Sequence, residues 1–510
     1  MEKGVEELKK MFSILYFFYT FAAKFENYMK KIFISAITLA VCGGVQAQSG
    51  RTLSFDDAVS MMFSDNPSIQ AAEHEEMAAK RERQAAVGLH FPVLSVGGSY
   101  AYLGSSIALD LDLNGLKTGV QSGLGQLLPA LDPQLQMAVG SLLGPLMGQS
   151  WDYSYTLQQQ HFGFVGGSVS LPLFMGGKIN IANRAARINE RSVREQSVQT
   201  RNALMSELVE RYFGYALALQ VVEVRKQVVD GVRKHLDDAL ALERNGMIAS
   251  SERLYVEFKV AEAERELQGA EMQVETLRAA LSSTLGGFDE RMIPATSIFV
   301  VDRIESADYF RELAAEYNPL LNQVEYKSQL ARQNVRLQRA EFFPQVVAVG
   351  GGTFYNYQVS KLLPRWAVGV GVNFKIFDGL HREYKYSAAR QTAQRVEALK
   401  EKAGNDISVL VESLYNSMQN CRNQISAIES SMSFAEEYLK AKDAAFREGM
   451  AASTDMVDAE LNLAKVRIER MQAAYNYDVA LARLLEAAGV SEEFMEYMRR
   501  SNARRIAYNE

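Results

Sequence analysis

Phe63-Ser-Asp-Asn-Pro67 and, farther along, Ala315-Glu-Tyr-Asn-Pro319 are the stretches that decide how this chain is built. Asn66-Pro67 and Asn318-Pro319 lie 252 residues apart, as do Phe91-Pro92 and Phe343-Pro344. Beyond them the offset changes to 203. Phe174, Gly176, Ala185, Ala186, Arg187, Arg244, Gly246, Met247 and Gly286 recur as Phe377, Gly379, Ala388, Ala389, Arg390, Arg447, Gly449, Met450 and Gly489. A period this long marks an internal duplication. The constant second offset leaves no room for insertions between 174 and 286, as expected of helices that must stay in register. The 49-residue difference between the offsets must therefore lie between Pro92 and Phe174, opposite the short stretch between Pro344 and Phe377.

Each copy reads as the same series of elements. A helical stretch, 54–90 or 306–342, runs to a proline that stops it. The period then switches to two. Trp366, Val368, Val370, Val372, Phe374 and Ile376 are apolar, and the residues between them are small or polar. That is a strand with one face in an apolar medium and the other toward water. Leu94, Val96, Tyr100 and Tyr102 alternate likewise. Strands are expected at about 93–102, 162–174, 346–357 and 366–377. Long helices are expected over about 178–245, 250–285, 380–448 and 452–487. Lys178 to Arg244 contains no proline and would extend about 100 Å at ~1.5 Å per residue. Leu208, Tyr215, Val222, Val229 and Leu236 fall seven apart. Such spacing implies paired, supercoiled helices. Gly246 and Gly449 should end the rods at hairpin tips, with Ser250 and Ser453 capping the returning helices. The chain divides into an N-terminal extension and signal at 1–47, repeats at 48–300 and 301–490, and a tail at 491–510.

Composition narrows the class. Met29-Lys30-Lys31, an apolar run from Ile32 to Val41 and the ending Val45-Gln46-Ala47 have the layout of a signal peptide cleaved after Ala47. Residues 1–28 precede it, either from an upstream start codon or as a true extension. Cys42 sits in a lipidation-like box with bulky Val41 where a small residue is expected. Removing 1–47 takes six basic and four acidic residues from totals of 55 and 61, leaving a net charge of −8 and making nucleic acid a poor partner. Cys421 is then the only cysteine, so no internal disulfide forms. His74, His90, His161, His235 and His381 show no metal spacing, and no phosphate loop follows a strand. No catalytic residue, cofactor or metal is expected.

Four strands cannot stand alone in a bilayer, because their edges would leave backbone groups unpaired in hydrocarbon. Eight strands from a dimer leave little lumen, and twelve from a trimer leave a passage. A homotrimer is expected.

The duplicated order resembles the TolC family of outer-membrane factors. So do the Asn-Pro elements, the strand exits Leu171-Pro-Leu-Phe-Met-Gly-Gly177 and Lys375-Ile-Phe-Asp-Gly-Leu380, and the tips Arg244-Asn-Gly-Met247 and Arg447-Glu-Gly-Met450. The resemblance covers about 51–490. It implies a mostly α fold with a membrane β-barrel part: a trimeric 12-stranded barrel in outer-membrane lipid, continued by a long periplasmic α-helical tunnel. Its implied partners are a periplasmic adaptor, also called a membrane fusion protein, and an inner-membrane transporter, either a proton-driven pump or an ATPase. The implied function is export through a tripartite efflux pump. A type I protein secretion duct is the alternative within the class, and a periplasmic coiled-coil adaptor the alternative outside it.

The resemblance also places an acidic ring at Asp455 and Asp458, six and nine residues after the tip glycine. The plain reading is that acids in a first helical turn complement the dipole. Arg244, Gly246, Met247, Arg447, Gly449 and Met450 are the adaptor-docking candidates, with a simple helix-turn-helix as the plain reading. Ser251 and Glu252 fall in the gate region, but Phe446 and Ala451 stand where a tyrosine and an arginine are expected. The stretch 103–160, with Leu127-Leu128-Pro-Ala-Leu131 and Leu142-Leu143-Gly-Pro-Leu146, reads as an unusually apolar loop at the outer face.

Overall fold

The computed structural model describes residues 52–506, apart from 131, 150–151, 288–291 and 361–363. The signal peptide, Cys42 and the stretch 1–28 lie outside the described residues.

The first repeat opens with α1 (Phe55–Asp65) and α2 (Pro67–Gly88), and the second with α7 (Ala307–Tyr317) and α8 (Pro319–Ala340). Each expected opening helix is therefore two helices. The reason is the Asn-Pro pair: proline cannot donate the hydrogen bond a continuous helix needs, and the asparagine ends one helix while capping the next. Asn66 Oδ1 accepts from the Ser68 N–H at 2.7 Å, and Asn318 Oδ1 from those of Leu320 and Leu321 at 2.9 and 3.1 Å. Their amides reach the ends of distant helices, donating to Thr284 O at 2.8 Å and Ala487 O at 2.7 Å. Just beyond those ends stand Gly286 and Gly489, both with positive φ. A Cβ on Gly286 would lie 2.5 Å from Asp65 O, and one on Gly489 closer still to Tyr317 O. The two motifs that repeat with different offsets are thus halves of one packed joint.

Between the opening helices and the rods lies a four-stranded antiparallel sheet. Its strands are β1 (Val93–Tyr102), β4 (His161–Met175), β6 (Gln345–Tyr357) and β7 (Trp366–Asn373), in the order β1-β4-β6-β7. The last strand stops at Asn373 and leaves out Phe374 and Ile376 of the expected span. One face carries Leu94, Val96, Tyr100, Tyr102, Val368, Val370 and Val372, all exposed. The other carries Ser95 hydrogen-bonded to Ser168 at 2.7 Å. Aromatic residues gather at both ends: Tyr100, Tyr102, Tyr357 and Trp366 at one, Phe91, Phe343, Phe374 and Phe377 at the other. Strands of about ten residues with aromatic girdles suit a bilayer. Among the described residues, no helix is long and apolar enough to cross a membrane.

The stretch 103–160 is structured. It holds β2 (Ile107–Asp112) paired with β3 (Asp152–Gln158), and between them α3 (Asn114–Leu127) and α4 (Pro133–Met147). The offset difference makes this stretch an insertion, which reads as a loop, yet it forms two helices and a strand pair, and glycines are frequent in the helices. Both helices form despite them.

The rods are α5 (Lys178–Arg244) with α6 (Ser250–Thr284), and α9 (His381–Arg447) with α10 (Ser453–Ala488). Leu208, Tyr215, Val222 and Val229 are buried as the heptad spacing requires, and Leu236 is half-buried. Midway along α5 an aromatic knot gathers Phe55, Tyr212, Phe213, Phe299 and Phe494. Phe55 lies 5.3 Å from both Tyr212 and Phe213, and Phe299 lies 5.4 Å from Phe494. Phe299 belongs to β5 (Ile298–Val301). The tail supplies the rest through α11 (Phe494–Arg499) and β8 (Ala503–Ile506), the latter pairing antiparallel with β5. Tyr212 donates to Leu53 O at 2.6 Å and accepts from the Thr296 N–H at 3.1 Å. The stretch read from sequence only as a tail is part of the core.

Candidate functional site

The tips of the two rods are built alike. At the end of α5 the N–H of Gly246 donates to Glu243 O and that of Met247 to Leu242 O, each at 2.9 Å. At the end of α9, Gly449 donates to Phe446 O at 3.0 Å and Met450 to Ala445 O at 2.8 Å. This paired pattern closes a helix around a left-handed residue, and the two glycines have φ of 69° and 72°. A Cβ at either would meet nothing within 4 Å. Glycine is needed there for its backbone conformation, and the surface around it is open. Arg244, Met247, Arg447 and Met450 are all exposed, with Arg447 paired to Asp443 at 2.7 Å.

The returning helices begin differently from expectation. Ala249 and Ala452 occupy the capping positions, and Ser250 and Ser453 are the first helical residues. The Ser453 hydroxyl is buried without a hydrogen-bond partner. Capping falls instead to Asp455, whose Oδ2 accepts from the Ala452 N–H at 3.3 Å. On the first repeat, Ser251 is exposed and Glu252 half-exposed in the first turn.

Three acids at the start of α10 each reach a different helix. Asp455 pairs with Lys442 of α9 at 3.4 Å. Asp458 accepts from the Tyr255 hydroxyl of α6 at 3.0 Å. Glu460 contacts His235 Nε2 of α5 at 3.2 Å. Burial, reinforced by the Asp458 carboxylate, raises the Tyr255 phenol above its usual range. His235 is buried, with Asp238 at 3.8 Å and the Phe446 ring edge-on at 6.2 Å. Opposite Glu460 stands Gly231, where a Cβ would collide with the carboxylate. Asp458 is exposed and Asp455 half-exposed. Within one subunit, then, the two ring candidates hold α10 against its neighbours.

Tyr255, His235, Glu460 and Lys442 did not stand out in the sequence, although one signal was present. Tyr255 and Asp458 are separated by 203, the repeat offset itself, and so are Glu252 and Asp455. Equivalent positions of two repeats meet where the repeats pack about a common line.

The profile of a family described as outer membrane efflux protein matches residues 311–490, from α7 to the end of the second rod pair. The alkaline protease secretion protein AprF of Pseudomonas aeruginosa is 26% identical over 326 residues, covering 60% of this chain and 65% of that protein. The chain thus matches just under two thirds of that relative's length. The crystal structure of CusC, in work on folding and transmembrane channel formation, superposes with a TM-score of 0.66 at 14% identity, covering 88% of this chain and 95% of the other.

The second repeat of this chain thus matches the outer membrane efflux protein family, and the fold of the chain is shared with solved outer-membrane channels. The chain also superposes on the CmeC outer membrane channel of Campylobacter jejuni with a TM-score of 0.66 at 12% identity, covering 90% and 94% of the two chains. The fold is that of these channels, helical rods beneath a sheet that one subunit leaves open. The family is one of transport proteins, not of enzymes.

Proposed function

We propose that three copies of this chain close a 12-stranded barrel in the outer membrane and export small molecules through the tunnel beneath it. A periplasmic adaptor engages the tips, and an inner-membrane transporter supplies the energy. The observation that carries this reading is the open sheet, whose free edges at β1 and β7 belong to different repeats. Within the subunit, β4 pairs with β6 and sets Val169 opposite Gly350. Moving Val169 forward by 203 and Gly350 back by 252 gives Val372 and Gly98. The same register sets Val370 of one subunit opposite Tyr100 of the next, and Val368 opposite Tyr102. Every residue so paired lies on the apolar face. Directly opposed residues have Cβ atoms about 4.5–5.5 Å apart, within reach of a disulfide. Tyr100→Cys with Val370→Cys should therefore give covalent trimers on oxidation, and Tyr100→Cys with Gly369→Cys should not. Cross-linking by the second pair alone, or by neither, would overturn the register and the closure with it.

Docking at Arg244, Gly246, Met247, Arg447, Gly449 and Met450 is supported by their exposure and by two near-identical turns per subunit, six per trimer. Gly246→Asp with Gly449→Asp should abolish export while the trimer still reaches the membrane; unchanged export would remove the tips from the interface. Asp455 and Asp458 would line the tunnel entrance six times over, with Ser251 and Glu252 beside them. Their ties to Lys442 and Tyr255 act as the closed-state latch in place of the tyrosine and arginine that Phe446 and Ala451 replace. Passage of whole proteins is the second reading, favoured by the name of the AprF relative.

A further inference from the structure

Among the described residues, the segment between β1 and β4 leaves a broad run of apolar side chains uncovered. From 113 to 149 its only charged residues are Lys117 and Asp132, in a chain that is 23% charged. No described residue of α3 or α4 is buried. Leu116, Val120 and Leu127 of α3 and Leu135, Met137 and Leu142 of α4 are all exposed. Beside them run Gly115, Gly119 and Gly123, and Gly140 and Gly144, where a Cβ would meet nothing within 4 Å. Such faces admit close approach of another helix, and among the described residues the glycines face open space. The two helices are tied at their ends, Lys117 Nζ donating to Gln149 O at 2.7 Å. Apolar surface of this extent on a water-exposed segment marks an interaction site.

What covers it follows from where it is rooted. On one side the stem is clamped to its own subunit's β6–β7 connection: Gln158 donates to Gln358 O at 2.8 Å and accepts from the Ser360 N–H at 2.9 Å. On the other side its root leaves β1, the free edge of the sheet. The register proposed above sets Trp366, the start of the neighbour's β7, opposite Gly104 in that root. The segment therefore stands on the subunit boundary, flanked by one β6–β7 connection from each of two copies.

We propose that the three 103–160 segments of a trimer pack against one another over the outer mouth of the barrel, α3 and α4 of each copy covering those of the next. The proposal rests on the trimeric closure above and adds a lid to it. Near-absence of charge suits a surface buried between copies, and open glycine faces let helix backbones meet closely.

The test uses the full-length protein in membranes with Cys421→Ser as background. Gly119→Cys and Gly140→Cys are treated separately with a short bis-maleimide, and Tyr100→Cys with Val370→Cys serves as the barrel control. Cross-linked subunits from the glycine positions, together with the control, support the lid. Replacing 107–157 by a short Gly-Ser turn should then raise single-channel conductance severalfold. Cross-linking of the control without that of the glycine positions overturns the lid and leaves the trimer standing. Labelling of the glycine-position cysteines by a membrane-embedded lipid probe, with no cross-link, would assign the surface to the outer leaflet instead. Failure of the control as well removes the trimer, and the lid falls with it.

Discussion

The rods α5 and α9 are equal in length, 67 residues each, and end in matching tips, yet they are buried differently. Both keep one seam: Leu208, Tyr215 and Val222 of α5 correspond at the 203 offset to Val411, Met418 and Ile425 of α9, and all six are buried. Only α5 has a second buried face. Tyr212, Phe213 and Leu217 are inside, whereas the corresponding positions of α9 are half-buried Tyr415 and exposed Asn416 and Asn420. Duplication preserved what pairs each rod with its returning helix. The face that differs is the one met by the aromatic knot, which the chain builds once, on α5.

Exchange of the differing residues tests that contrast most severely. Phe213→Asn should cost at least about 3–5 kcal/mol, the scale of deleting a buried phenylalanine, because it also leaves an amide unpaired. Asn416→Phe should leave thermal unfolding of the protein nearly unchanged. Equal effects at the two positions would mean that the knot does not account for the asymmetry.

The knot also holds a buried acid. Asp478, on α10, accepts from the Phe299 N–H at 3.2 Å through one oxygen, and the other has no partner. Burial raises its carboxyl well above the ordinary range, outweighing the Phe299 hydrogen bond and Arg505. With the folded value raised, the favourable contribution of the neutral acid is full below about pH 3.9, the unfolded value. It is lost as pH rises through the folded value. Asp478→Asn should therefore stabilise the protein increasingly with pH, by about 1–3 kcal/mol on the alkaline side, the scale of a poorly compensated buried polar group. A gain that does not grow between pH 5 and pH 9 would contradict the account.

Smaller effects are expected at the tips, where the repeats touch as equals. Tyr255→Phe removes the hydrogen bond to Asp458 and should weaken the closed arrangement by about 0.5–1.5 kcal/mol, read as a higher open probability in bilayer recordings. Unchanged gating would leave Tyr255 a packing residue. The smallest change is Ser453→Ala. Its unpartnered hydroxyl makes the substitution neutral or stabilising by less than about 0.5 kcal/mol, whereas a clear loss in thermal midpoint would reveal an unrecognised capping role.

Much of this was legible in residue order. Asn66-Pro67 and Asn318-Pro319 marked the duplication, Trp366 to Val372 showed a membrane-facing strand, and Gly246 and Gly449 marked the turns. The ties at the tips were not legible. Tyr255 and Asp458 differ in residue type, so the repeat that brings them together does not display them as a match. The apolar helices after Leu113 were not legible because the stretch is an insertion with no counterpart in the second repeat to compare it with.

Sequence alone determined period, repeat and the incompleteness of the sheet, because these depend on local alternation and on offsets that survive without knowledge of neighbours. Tertiary structure alone decided that residues 491–506 complete the core, that the Asn-Pro joints lock onto Gly286 and Gly489, and that three acids of α10 reach three separate helices. Those are contacts between segments remote in the chain. Their partners are chosen by packing in space, which no local pattern records.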